Sequence, residues 1–224
     1  MAVIAYQYRG ELVDQIHRGH IAVTDHTGRI LWKLGDPERL TFARSSAKPL
    51  QAIPVAESGA LEHYGITPQE LAVICSSHNG EPFHVKAVES ILHKAGLSPD
   101  QLCCGAEYPM YVPVEDALKI AGIPRAPIYC DCSGKHAGML ITARHFGESL
   151  ENYTALEHPV QQRILSVFAE MCGVETSEVQ LAVDGCGVPV HALPLYRHRA
   201  TPVCLSPRFS PPPGPLSSGA SRPP

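Results

Sequence analysis

Eight of the 24 residues from Thr201 to Pro224 are proline and none is acidic. A stretch of that composition cannot bury enough apolar surface to order itself. A packed unit is therefore expected over residues 1–198, followed by a Pro/Ser-rich disordered tail over 199–224. The last acidic residue anywhere is Asp184. The change is abrupt and falls inside a segment that reads as a helix, His191 to Arg199. It points to a shifted reading frame that has replaced a true C-terminal region.

Before that break the chain has the makings of a core, with 44% hydrophobic residues over the whole 224. The formal charge of −4 offers no basic face for nucleic acid and no polybasic membrane anchor. The N-terminus, MAVIAYQYRGELVD, lacks the charged and apolar regions of a signal peptide. No apolar run reaches the roughly 18 residues of a membrane span. A cytoplasmic protein is expected, and its eight cysteines are expected to be reduced.

Residues 2–8 read as a strand, and HIAVTDHTGRILWKLGD as a hairpin with turn chemistry at Asp25-His26-Thr27-Gly28. Helical spacing predicts helices over Ser46–Glu57, from a Thr67 cap, over Glu81–Ala95, Pro113–Ala121 and His158–Cys172. Pro127–Tyr129 and Val179–Val183 read as strand ends.

Four stretches carry chemistry. In RSSAKPLQ, Ser45 and Lys48 are three apart, close on one face of a helix. A serine hydroxyl is a poor nucleophile until a base takes its proton, and a lysine is such a base only when neutral, a form that burial favours. The plain alternative is a serine cap with a solvated lysine. CSSHNGEP, residues 75–82, can offer the Ser77 hydroxyl, His78, Asn79 and the Gly80 backbone to a polar substrate, or simply make local turns. CDCSGKHAGM places Cys132 and Lys135 three apart. DGCGVPV holds Cys186 between Gly185 and Gly187, where backbone can come close. Thiolates are good zinc ligands, yet C-x-C with one distant cysteine is not the paired spacing of a structural site. Cys130, His136 or water could complete a set, and buried or reactive thiols are the alternative.

In this order and spacing, RSSAKPLQ, CSSHNGEP, CSGKHAGM and DGCGVPV resemble the bacterial L-asparaginase family related in fold to serine β-lactamases and glutaminases. The resemblance runs over roughly residues 2–197. It implies an α/β (α+β) fold, a serine β-lactamase/glutaminase-like sheet flanked by helices, here lacking its C-terminal strands. It implies Ser45 as nucleophile, Lys48 as its base and Ser77 as a second active-site serine. Cys132, Lys135 and Cys186 would surround a zinc ion near the substrate. Loop 76–80 and Gly185 would supply donors to L-asparagine, and a homodimer is a candidate assembly. In that family a second lysine, from later in the chain, partners Ser77. This sequence has no lysine after Lys135. The expected activity is hydrolysis of L-asparagine to aspartate and ammonia through a serine ester. A related amidase or β-lactam hydrolase, or an inactive fragment, are the alternatives.

Overall fold

The structure, a computed structural model, describes residues 1–198; the expected tail lies outside the described residues. The first five elements of the chain, through Phe42, are strands. β1 (Ala2–Arg9) and β2 (Leu12–Gly19) form one antiparallel hairpin, and β3 (Ile21–Thr24) and β4 (Ile30–Leu34) another. β5 (Leu40–Phe42), β6 (Gln180–Val183) and β7 (Pro189–Pro194) make a third sheet in the order β5-β7-β6, both pairings antiparallel. The protein is thus mixed α and β, with three small sheets where one larger sheet is expected. Among the described residues β5 and β6 each keep one free edge. Leu40, Phe42 and Val183 are exposed there.

Among the described residues seven α-helices follow the first strands: α1 (Lys48–Glu57), α2 (Ala60–Tyr64), α3 (Pro68–Ile74), α4 (Pro82–Lys94), α5 (Val112–Ile120), α6 (Ser133–His145) and α7 (Pro159–Cys172). Their ends carry the expected chemistry. Thr67 Oγ1 accepts from the Glu70 N–H at 3.3 Å, and Glu70 Oε2 accepts from the Thr67 N–H at 2.7 Å, closing a capping box. The His158 ring caps α7, and Gly173 ends it in the left-handed region.

Two readings are corrected. Pro127–Tyr129 is a 3-10 turn, not a strand end. His191 lies in β7, not in a helix. Pro194 prevents helical continuation, and the apolar run from Pro189 to Leu193 is buried as the middle strand of its sheet.

α6 is the axis of the core: Ser133 to Ala143 are all buried, and α1, α3, α4 and α7 pack around it. Such a helix is apolar or small all round rather than amphipathic. Burying each of Leu140 and Ile141 contributes about 1.5–3 kcal/mol. The two glycines of SGKHAG allow α3 to lie directly against it. A Cβ at Gly134 would stand 2.5 Å from the Val73 carbonyl oxygen, and one at Gly138 2.6 Å from Ile74 Cγ2. Gly134→Ala is expected to destabilise the fold by about 1–3 kcal/mol, although alanine is the better helix former, because the backbone it meets must move. Gly185→Ala, where a Cβ meets nothing within 4 Å, should be near neutral in the same urea titration.

Candidate active site

The chain enters α1 through a 3-10 turn, Arg44–Ala47, and Arg44 itself has a φ of +47°. A non-glycine residue there is strained by about 1–3 kcal/mol. The Arg44 guanidinium is held by Asp184 at 3.0 Å. Directly after this turn Lys48 points inward and is 1% exposed. Its Nζ donates to Ser77 Oγ at 2.7 Å and to the Asp131 carbonyl at 3.2 Å, and stands 3.4 Å from Asp131 Oδ2.

This differs from the expected pairing. Ser45 is exposed, and its hydroxyl has no partner among the described residues. The i,i+3 reckoning assumes one continuous α-helix. The 3-10 turn and the left-handed Arg44 break that continuity, and the lysine turns to a different serine, 29 residues away. Among the described residues, the lysine in contact with Ser77 is Lys48.

Asp131 completes the cluster. Burial pushes its carboxyl up, but the Lys48 charge and hydrogen bonds from Ser77 and Cys132 outweigh that and hold it below the usual range.

The loop between α3 and α4 places its other residues less uniformly. His78 does not face a substrate. It is 3% exposed, and its Nδ1 accepts from the Gly80 N–H at 3.1 Å. That fixes the proton on Nε2, which donates to Ser133 Oγ at 2.8 Å, while Ser133 donates to the Ile128 carbonyl at 3.1 Å. Gly80 is buried with φ +71°, and a Cβ there would stand 2.7 Å from Pro109 Cβ. Asn79 is exposed, and its carbonyl accepts from the Tyr111 N–H at 2.8 Å. The His78 N–H is spent on Asp131 O at 3.3 Å and the Gly185 N–H on Asp184 Oδ1 at 2.9 Å. His78, Gly80 and Gly185 therefore have no backbone N–H to offer. Those of Ser77 and Asn79 remain without a partner among the described residues.

Burial drives the His78 ring down to about pH 4, helped by His84 and Lys48, and burial does the same to His191. Both rings sit neutral in the fold and protonate near pH 6.5 when unfolded. Their contribution is intact above pH 6.5 and is lost as pH falls toward 4. The thermal midpoint should decline through that window, and less steeply in a His78→Asn variant.

A cavity of about 190 Å³ adjoins the Lys48–Ser77 pair through Asp131; neither Lys48 nor Ser77 lines it. Arg44, Ser45, Cys104, Glu107, Cys130, Asp131, Cys132, Asp184, Gly185 and Cys186 line it. Cys132 and Cys186 are buried, and Lys135 Nζ donates to Cys186 Sγ at 3.2 Å. The sulfurs hydrogen-bond in series. The contact with Cys130 and burial raise the Cys132 thiol; the contact with Cys132 and burial push Cys186 up to about 11. No disulfide joins any two of the seven cysteines among the described residues.

The donors expected for zinc fit a soft cation. Lys135 is 4% exposed, and its only hydrogen-bond partner among the described residues is one sulfur, a poor acceptor for a buried amine. His136 Nε2, beside the same cluster, is buried without a partner.

Sequence reasoning missed three groups. Asp131 sits inside the quoted CDCSGK run, but its role depends on Lys48 arriving from 83 residues away. Asp184 opens the DGCGVPV run but only its cysteine was singled out there, and Glu107 gave no local signal. Glu107, Cys130 and Asp131 bring ligand atoms within 4.8 Å of one another.

No curated protein matches the chain. The L-asparaginase II family matches it over residues 5–202, which take in every residue of the cluster. The chain belongs to the L-asparaginase II family.

Proposed function

We propose that the protein hydrolyses the side-chain amide of L-asparagine through a serine ester. Lys48 first gives up to solvent the proton that makes it Asp131's cation; as the free amine it takes the Ser77 proton, and Ser77 Oγ attacks the amide carbon. The N–H groups of Ser77 and Asn79 receive the developing oxyanion. Lys48 returns the proton to the departing nitrogen, which leaves as ammonia. Water, deprotonated by the same amine, then cleaves the aspartyl ester. The observation that carries this reading is the 2.7 Å contact between a buried lysine and the exposed Ser77, in a chain of this family. Production of ammonia and aspartate in equal amounts from L-asparagine by purified protein tests it. Turnover of only glutamine or a chromogenic β-lactam would replace the substrate, and turnover of none would remove the function.

A second assignment has one observation in its favour. Ser45 lines the adjoining cavity with an unpartnered hydroxyl, so it is the alternative nucleophile, with Ser77 as the neighbouring serine.

Cys132, Lys135 and Cys186 would hold zinc. A zinc ion there would polarise a substrate oxygen as a Lewis acid. Cobalt(II) added to the protein should give a thiolate-to-metal absorption band that Cys186→Ser removes; no band would take the metal out of the account. A described region without disulfides suits a reducing compartment, and a cytoplasmic location goes with this reading. Among the described residues no helix is long and apolar enough to cross a membrane.

A further inference from the structure

We propose that the β1–β2 hairpin is the surface on which two copies of this chain associate, apolar face against apolar face about a two-fold axis. No residue of either strand lines the cavity beside Lys48 and Ser77, and the surface is independent of the amidohydrolase reading. The cross-strand register sorts the hairpin into two unlike faces. Tyr6 stands opposite Ile16 and Tyr8 opposite Val13, and the two tyrosine rings lie 6.3 Å apart, so these four side chains share one face. Ala5 opposite His17 and Gln7 opposite Gln15 make the other. In an antiparallel sheet with such alternation the apolar face is the packed one. Here it is open: Tyr6 is 52% exposed, Tyr8 59%, Val13 47% and Ile16 50%. Among the described residues no third strand joins the pair. A lone two-stranded hairpin is marginal in water and needs further strands or a packed face.

Composition and charge commit the face to a second copy. Two tyrosines with a valine and an isoleucine make the centre of a protein interface, where aromatic residues are enriched and charges depleted. The face itself carries no charge, and Arg9 and Asp14 near the hairpin tip neutralise each other at 3.0 Å. Two identical faces therefore meet without repulsion. A patch without charge cannot select an oppositely charged partner, whereas its own copy matches it in size, polarity and pattern. Residues 199–224 are a poor source of a third strand, because they hold eight prolines, which cannot donate to a sheet ladder.

The area sets the strength. Each strand has eight residues. At about 3.3 Å per residue and about 4.8 Å between strands, the face measures roughly 26 by 10 Å. That is roughly a third of the ~800 Å² per partner that a stable interface buries. The dimer is therefore weak and reversible, with a Kd on the order of tens of micromolar. A two-fold contact uses the face once on each copy, so assembly stops at two.

The test is sedimentation of the full chain from about 1 to 300 μM, a range that brackets such a Kd. The average mass should rise from monomer towards dimer and go no further. Tyr6→Lys with Ile16→Glu sets an opposite-charge pair across the strands, which suits the hairpin but wets the face. It should raise the Kd by at least about tenfold, the effect of losing a central aromatic anchor. Gln7→Lys with Gln15→Glu makes the same pair on the other face and should leave the Kd within about twofold. Thermal denaturation at low concentration checks that each variant is folded; Tyr8→Thr, a good strand former, replaces the first pair if it is not. A monomer at every concentration overturns the proposal, as does a dimer that survives the Tyr6 and Ile16 substitutions. Growth past the dimer overturns it too, because that is pairing along open strand edges. A monomeric wild type that binds phosphatidylcholine vesicles, with binding lost in the same variant, would give the face to a lipid surface instead.

Discussion

Replacing Lys48 with methionine is expected to lower ammonia release by a factor of about 10⁴, the upper range for removing a general base from its nucleophile. Methionine fills much of the volume of a side chain that is 1% exposed, and so tests chemistry more than packing. It cannot accept a proton. The substitution also leaves Asp131 without its cation. That side chain is 29% exposed, so water recovers part of the loss, and the destabilisation should be nearer about 1–2 kcal/mol than the full value for a broken buried pair. A variant that stays folded by thermal denaturation yet is inactive satisfies the prediction. Turnover within tenfold of wild type would mean that another group takes the proton.

Ser77→Ala should be as severe as Lys48→Met, and the two together no worse than either, because a nucleophile and its base act as one unit. Ser45→Ala should lose less than about tenfold, the effect of a cavity-wall hydroxyl with no base in contact. The opposite order, with Ser45 indispensable and Ser77 dispensable, would transfer the nucleophile to the residue expected from the resemblance. The measurement is initial ammonia release at saturating L-asparagine, with KM determined separately.

The difference between these two serines shows what could be read from the chain and what could not. Local signals were legible wherever one segment decides the outcome. The Thr67 cap and the helices over α4 and α7 need only neighbours within a turn or two. Ser45 and Lys48 looked like such a local pair. Yet a lysine has four rotatable carbons, and the destination of its amine depends on loops 77 and 131, brought beside it by the packing of α1, α3 and α6. The Gly134 and Gly138 contacts that permit this packing are equally non-local. His191 misled for a related reason. Its run has helical and extended readings alike, and only β5 and β6 on either side decide for strand. The cysteines drew the eye in CDCSGK, while Asp131 between them is the group that touches Lys48.

The claim on which the rest depends is that Lys48 activates Ser77 and that the acyl group passes through it. Quenching the reaction with L-asparagine in acid within a single turnover, then mapping the adduct by peptide mass spectrometry, tests it most directly. An aspartyl ester on the peptide carrying Ser77, absent in Lys48→Met, is the predicted result. An ester on Ser45, or steady ammonia release from a Ser77→Ala variant, would contradict it.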